Sequence, residues 1–354
     1  MELQLNKIIC GDNREVMKNF PSDSIDLVVT SPPYWGLRDY GIGPKQLGQE
    51  DHPQEFIDNL VTVFQEVKRV LKSTGSFWLN LGDTYCHKGG SDKGGNDKSI
   101  LGEKTIAAQR RARFNGEFTN WLQPKQKLMM PHRVAIALQD DGWILRNDVI
   151  WHKTNHMPES VQDRLTKSYE NIFFFVKERK YYFDLDAIRV PSTTQPWSNI
   201  STKDPYIENN PRKYVGKYDA DIAESVSSPR ARQATRDTTS YYNPKGKNPG
   251  DVWDIPTKPF PGSHFAVFPP DLINPIIKAA CPEDGIVLDP FAGSGTALRV
   301  ARKLNRSFIG IEINPEFAAM AEERVRSDKY SPAPEGVPKL STFSKSLRMN
   351  ENGS

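Results

Sequence analysis

Two hydroxyl residues, two prolines and two aromatic rings follow one another in Thr30-Ser31-Pro32-Pro33-Tyr34-Trp35. The paired prolines fix a stiff, extended backbone. Such a turn suits a flat ring that must be held still, and equally suits aromatics packed on a core. Far along the chain, Val287-Leu288-Asp289-Pro290-Phe291-Ala292-Gly293-Ser294-Gly295-Thr296 runs from a strand into a glycine turn that opens a helix. Without Cβ atoms there, a ligand can lie directly against backbone. One strand further, Ile309-Gly310-Ile311-Glu312 places an acid at a strand tip, at the spacing of a carboxylate that receives ribose hydroxyls. An ordinary turn of a doubly wound sheet is the plainer reading. A phosphate-binding loop would need a lysine after Gly295, and a dinucleotide fingerprint a third glycine. Thr296, Ala297 and Leu298 stand there instead.

The elements that must position these residues are legible as periodicity. Lys7–Cys10 reads as a strand ending in Gly11-Asp12-Asn13, with Asp12 or Asn13 placed to cap a helix over Arg14–Phe20. Ser24–Val29 is the β-branched strand that leads into the proline turn. From Pro53, Phe56, Leu60, Val63, Phe64, Val67 and Leu71 keep helical spacing, with Gly75 as the stop and Ser76–Leu81 as the next strand. This alternation predicts a parallel sheet covered by helices. Pro131–Gln139 reads as a helix, and Trp143–Trp151 and Asn171–Val176 as strands joined by a polar connection. Helices over Leu272–Ala280, Ala297–Leu304 and Pro315–Arg326 alternate with strands Ile286–Leu288 and Ser307–Ile311.

Two stretches break the rhythm. Cys86–Gln123 is rich in glycine and in cations, among them Lys88, Arg110, Arg111 and Arg113. Pro191–Pro249 loses apolar periodicity and carries Arg230, Arg232, Arg236, Lys245 and Lys247 close to Tyr241 and Tyr242. Over all 354 residues, 47 Lys and Arg nearly cancel 44 Asp and Glu, so only local patches could attract a polyanion. Three widely spaced cysteines fit a reducing cytosol. Met1–Lys7 lacks the apolar run of a signal peptide, and no stretch approaches the length of a membrane span. A cytoplasmic protein without membrane contact is expected. His152 and His156 stand four apart with no Cys or acid cluster beside them, so no metal site is expected.

Asp289–Thr296 with Glu312 resembles the S-adenosylmethionine site of amino-directed DNA methyltransferases, and Ser31-Pro32-Pro33-Tyr34 resembles their catalytic tetrapeptide. Their order, tetrapeptide first and cofactor motif last, is similar to the permuted β group of that family. Val149–Asn155 with Pro158, Arg164 and Tyr169-Glu170-Asn171 resembles a family block behind the catalytic site. His264–Pro269 resembles the block at the cofactor's methionine end. The resemblance spans roughly Ile8 to Arg326, apart from the two basic stretches.

The fold so implied is a Rossmann-like α/β methyltransferase domain with circularly permuted motif order. Residues 1–190 would form its catalytic part with a basic loop at 84–125, and 191–250 an inserted target-recognition segment. Residues 251–327 would form the cofactor-binding part, and 328–354 a disordered tail. By the same resemblance Ser31 and the Pro32 carbonyl accept hydrogen bonds from the substrate amino group, Pro33 stiffens the turn, and Tyr34 stacks on a flipped base. Such a transfer needs neither a covalent intermediate nor a metal. Cofactor contacts are expected from Asp289, Pro290, Phe291, Gly293, Gly295, Thr296, Glu312, Asp12 and Phe268. Double-stranded DNA is expected to meet Trp35, Lys88, Arg110, Arg111, Arg113, Arg230, Arg232 and Arg236. Serine in the first tetrapeptide position favours cytosine N4 over adenine N6. The rival of another class is a non-catalytic nucleic-acid-binding module. The resemblance leaves room for a cognate restriction endonuclease and for a homodimer.

Overall fold

The computed structural model describes residues 3–37, 42–43, 46–88, 113–114, 122–191, 243, 245–258 and 268–327. Two compact units divide the chain: Met1–Phe183 with Asp251–Ser354, and Asp184–Gly250.

The first unit is built on an eight-stranded sheet. Its strands are β1 (Lys7–Cys10), β2 (Ile25–Thr30), β3 (Leu71–Leu81), β6 (Ile144–His152), β7 (Tyr169–Val176), β8 (Val252–Asp254), β9 (Ile286–Asp289) and β10 (Ser307–Glu312), in the order β1-β10-β9-β2-β3-β7-β6-β8. All neighbours are parallel except β7, which is antiparallel to both β3 and β6. The strand pair β4 (His87–Lys88) and β5 (Arg113–Phe114) stands apart from this sheet.

Side chains alternate across the strands and feed two cores, one on each face. Phe77, Leu79, Phe173 and Phe175 face one core, shared with α2 (Pro53–Val70) and α3 (Met130–Asp140). Trp78, Ile172, Phe174 and Val176 face the other, shared with α4 (Pro270–Ala280), α5 (Thr296–Lys303) and α6 (Pro315–Arg326). Helix α2 starts where Pro53 needs no hydrogen-bond partner for its nitrogen and His52 accepts from the Gln54 amide at 3.1 Å.

Connectivity explains where a site can open. From β2 the chain crosses through α2 to β3 on one side; from β9 it crosses through α5 to β10 on the other. The paired strands β2 and β9 are therefore the point at which the winding reverses, and a crevice forms beyond their C-terminal ends.

Several expectations need correction. Helix α2 ends at Val70 rather than near Gly75, because Leu71 is already extended and begins β3. Ile25 pairs with Leu71 and Leu27 with Ser76, so residues 72–75 bulge, and a Cβ at Gly75 would lie 2.8 Å from the Asp26 carbonyl oxygen. The expected helix over Arg14–Phe20 is a short α1 (Asn13–Val16) followed by a 3-10 turn, Met17–Asn19. Strand β8 was not legible in advance; its three residues extend the sheet through parallel pairing with β6. The second unit begins at Asp184, not 191, since the Val190–Lys247 bridge and the ion pairs of Asp186 with Arg189 (2.6 Å) and Lys245 (2.8 Å) tie 184–190 to its end. Residues 328–354, expected to be a disordered tail, lie outside the described residues.

Phe77 is fully buried, with ring centroids of Phe64 at 4.7 Å and Trp143 at 5.2 Å. Phe77→Ala should cost about 3–5 kcal/mol of unfolding free energy in urea titrations. A loss under about 1 kcal/mol would contradict this core assignment.

Candidate active site

The β2 strand delivers Thr30 at its last position and releases Ser31–Tyr34 into the crevice. Trp35 pins the far side of the turn: it is 3% exposed and donates its indole N–H to the Glu50 carbonyl at 2.9 Å. The expected DNA contact of Trp35 is therefore corrected to a core anchor. The Gly36 amide donates to the Gly48 carbonyl (2.8 Å), and Gly48 sits at φ +88°, where an added Cβ would press on the Tyr34 carbonyl. On the inner side the Tyr34 ring lies over Gly82; any Cβ there would overlap the ring.

Beyond its ring, Tyr34 enters a polar network. Its hydroxyl lies 3.3 Å from Ser31 Oγ, 3.2 Å from Asn80 Oδ1 and 2.9 Å from Glu170 Oε2. Asn80 Nδ2 donates to the Asn171 carbonyl at 3.2 Å, and Lys153 Nζ pairs with Glu170 Oε1. Asn80 and Gly82 were missed by sequence reasoning. Glu170 and Lys153 appeared there only as members of a block, without a role. Their signal was a buried-strand asparagine followed two residues later by glycine, which propensity alone reads as a strand end.

The other wall comes from β9 and β10. Asp289 ends β9 and is 1% exposed; its Oδ1 accepts from Thr30 Oγ1 at 2.5 Å and from the Phe291 amide at 3.1 Å. Burial pushes its carboxyl up to about 7, against the lowering effect of those donors and with a further upward push from Glu312. Glu312 ends β10, and its two carboxylate oxygens accept the Gly293 amide (2.8 Å) and the Asn314 amide (2.9 Å). Burial raises Glu312 as well, while those amides oppose the shift. The two acids have no cationic partner among the described residues. Arg324 braces the glycine turn through Ser294 Oγ (2.7 Å) and Thr296 Oγ1 (2.8 Å).

One cavity collects most of the expected residues. Ser31, Pro32, Pro33, Tyr34, Asp12, Asp289, Pro290, Phe291, Gly293, Thr296, Glu312 and Phe268 all line it. Gly295 does not: at φ +75° its open side faces Ala321 and Val325, so it serves close helix packing. Asp12 caps α1 through the Arg14 amide (3.0 Å) and forms a two-toothed ion pair with the Arg14 guanidinium (2.9 and 2.7 Å). Asn13 Nδ2 donates to the Pro290 carbonyl at 2.9 Å, tying the β1 and β9 turns together. Arg110, Arg111, Arg230, Arg232 and Arg236 lie outside the described residues, and only the backbone of Lys88 and Arg113 is described. His152 pairs with Asp254 at 2.7 Å, and His156 Nδ1 lies 3.2 Å from the Lys153 carbonyl.

The cavity thus joins a rigid aromatic turn to two buried acids across the point where the sheet winding reverses. It can hold a flat ring at one end and a hydroxylated, cationic molecule at the other.

Comparison with known proteins places the chain in a family. A family model described as DNA methylase matches residues 25–323. The chain is 39% identical to the type II methyltransferase M.SmaI of Serratia marcescens, over 90% of each chain. It is 37% identical to the type II methyltransferase M.Cfr9I of Citrobacter freundii, covering 93% of this chain and 90% of the relative. Among solved structures, the cytosine-N4-specific PvuII DNA methyltransferase shares the fold, with a TM-score of 0.57, 18% identity and 93% of each chain covered. With the family model spanning most of the sheet and both walls of the cavity, the chain belongs to the DNA methylase family of amino-directed (N6/N4) enzymes.

Proposed function

We propose that this DNA amino-methyltransferase methylates cytosine at N4, in double-stranded DNA, on a base rotated out of the helix. Adenine N6 is the alternative. The observation that carries the reading is the meeting of Ser31–Tyr34 with Asp289 and Glu312 in one cavity, with serine rather than aspartate leading the tetrapeptide. The residues present fit S-adenosylmethionine: two buried carboxylates without cationic partners among the described residues suit a ligand that carries positive charge and hydroxyls. When bound, that cofactor supplies an electrophilic methyl group on a sulfonium.

The chain's own residues would do the rest. Glu312, held by two backbone amides, is fixed as an acceptor for a ribose diol. Asp289, at the β9 tip, would hold the cationic methionine end. Phe268 and Phe291 exclude water from the cavity wall. An exocyclic amino nitrogen is a weak nucleophile because its lone pair is delocalised into the base. Ser31 Oγ and the Pro32 carbonyl accept its hydrogens and so turn the lone pair out of the ring plane. Tyr34 holds the ring face, and rigid placement supplies much of the rate. The basic stretches 84–125 and 191–250 are the proposed carriers of phosphate contacts and target recognition. Action in the cytoplasm, alone or beside a cognate endonuclease, and pairing into a homodimer complete the proposal.

Incubation with labelled cofactor and duplex DNA, followed by mass spectrometry of the nucleosides, should yield N4-methylcytosine. N6-methyladenine would overturn the base assignment, and absence of any methylated nucleoside would favour a non-catalytic DNA-binding role. Tyr34→Ala should keep cofactor affinity within about threefold yet lose turnover by about a hundredfold or more, since a stacked ring contributes a few kcal/mol. Unchanged turnover would remove the stacking role.

Asp289 also gives a pH dependence. In the ligand-free protein its carboxyl holds a proton up to about pH 7, whereas a cationic neighbour favours the carboxylate. Below that value binding must expel the proton, so cofactor affinity should rise by up to about tenfold per pH unit toward 7 and level off above it. Calorimetric titration of the Asp289→Asn variant should show a clearly shallower slope over the same range, what remains coming from Glu312, which burial also raises; an equal slope in the variant would refute the assignment.

A further inference from the structure

We infer that Glu170 is a positioning residue that sets the direction of a hydrogen-bond chain and thereby makes Ser31 an acceptor. The inference rests on the reading of Ser31 as the partner of the substrate amino group, and deepens it.

The problem is chemical. An aspartate in the first tetrapeptide position can only accept, as an amino group requires. A serine hydroxyl carries a proton of its own and can point it at the substrate instead. An N–H facing an O–H proton repels it, and the amino lone pair could then be drawn toward the serine rather than freed for reaction. Serine performs this task only if its proton is directed elsewhere.

The geometry does this. Ser31 Oγ lies 3.3 Å from the Tyr34 hydroxyl, and Tyr34 in turn lies 2.9 Å from Glu170 Oε2 and 3.2 Å from Asn80 Oδ1. Both of these groups beyond Tyr34 are acceptors. The Asn80 amide cannot turn its nitrogen to Tyr34 without losing its bond to the Asn171 carbonyl at 3.2 Å, which only accepts. Among its described partners Tyr34 therefore donates inward, and its own lone pair receives the Ser31 proton. The chain runs Ser31 to Tyr34 to Glu170, ending on a carboxylate whose other oxygen is held by Lys153. A chain that ends on charge polarises the bonds before it in one direction. Glu170 is 17% exposed and Lys153 21%, half-sheltered at the head of β7 and the end of β6. Lys153 also lies over the Trp151 ring at 4.5 Å, which fixes the terminus of the chain in place.

Glu170→Gln tests the idea because glutamine keeps the shape but offers an N–H that can donate to Tyr34 and reverse the chain. The variant should lose about tenfold or more in kcat, the loss of one charge-assisted hydrogen bond, with cofactor affinity and KM for DNA within threefold of wild type. Tyr34→Phe, which keeps the ring and removes the link, should lose a similar factor. A readout that a scaffold role would not move comes from Ser31→Asp. Its carboxylate accepts without needing orientation, so this variant should be active, and adding Glu170→Gln to it should cost less than threefold. A Glu170→Gln loss that appears in KM alone, or persists in full in the Ser31→Asp background, would overturn the inference, as would an inactive Ser31→Asp enzyme. A wild-type control that methylates no DNA amino group would instead mark failure of the functional reading beneath it.

Discussion

The short hydrogen bond from Thr30 Oγ1 to the buried Asp289 carboxylate, 2.5 Å long, joins two parts of the chain 259 residues apart. It sits where β2 pairs with β9, and everything distinctive about the cavity depends on that junction. On one side the chain leaves β2 as the stiff Ser31–Tyr34 turn. On the other it leaves β9 as the glycine turn that meets Glu312. Because Asp289 also accepts the Phe291 amide, the same carboxylate fixes the start of both turns relative to each other.

The clasp is electrostatically expensive, and its cost is informative. Burial pushes both acids upward, Glu312 adds to the shift of Asp289, and no protein cation offsets them among the described residues. Backbone amides hold Glu312 instead, leaving the carboxylate fixed in orientation while open to a ligand. Arg324 bonds Ser294 and Thr296 and so stiffens the turn. The cavity is thus built around acids that ligand charge, rather than protein charge, would relieve.

Much of this was legible in the sequence because it rests on local signals. Paired prolines after a β-branched strand, glycines between strand and helix, and an acid at a strand tip each have a local physical meaning. What escaped was tertiary. Trp35 beside the catalytic turn read as a DNA contact, yet a long-range bond to the Glu50 carbonyl draws it into the core. Gly295 read as a cofactor contact because spacing cannot tell which side of a turn faces a helix; Ala321 and Val325 occupy that side. Gly75 read as a helix stop, although its need is close approach to the Asp26 carbonyl inside a bulged strand. Asn80, Gly82 and Glu170 converge on Tyr34 from two antiparallel strands, and no single stretch of sequence contains that convergence.

On the proposed reading, one cavity, straddling the β2–β9 junction, brings the methyl donor to the Ser31–Tyr34 turn. A crystal structure with S-adenosylhomocysteine bound tests it most directly. The ribose is expected on Glu312, the amino acid end near Asp289 and the sulfur directed toward Ser31 and Tyr34. A ligand bound outside that cavity, or with its sulfur turned away from the proline turn, would contradict it.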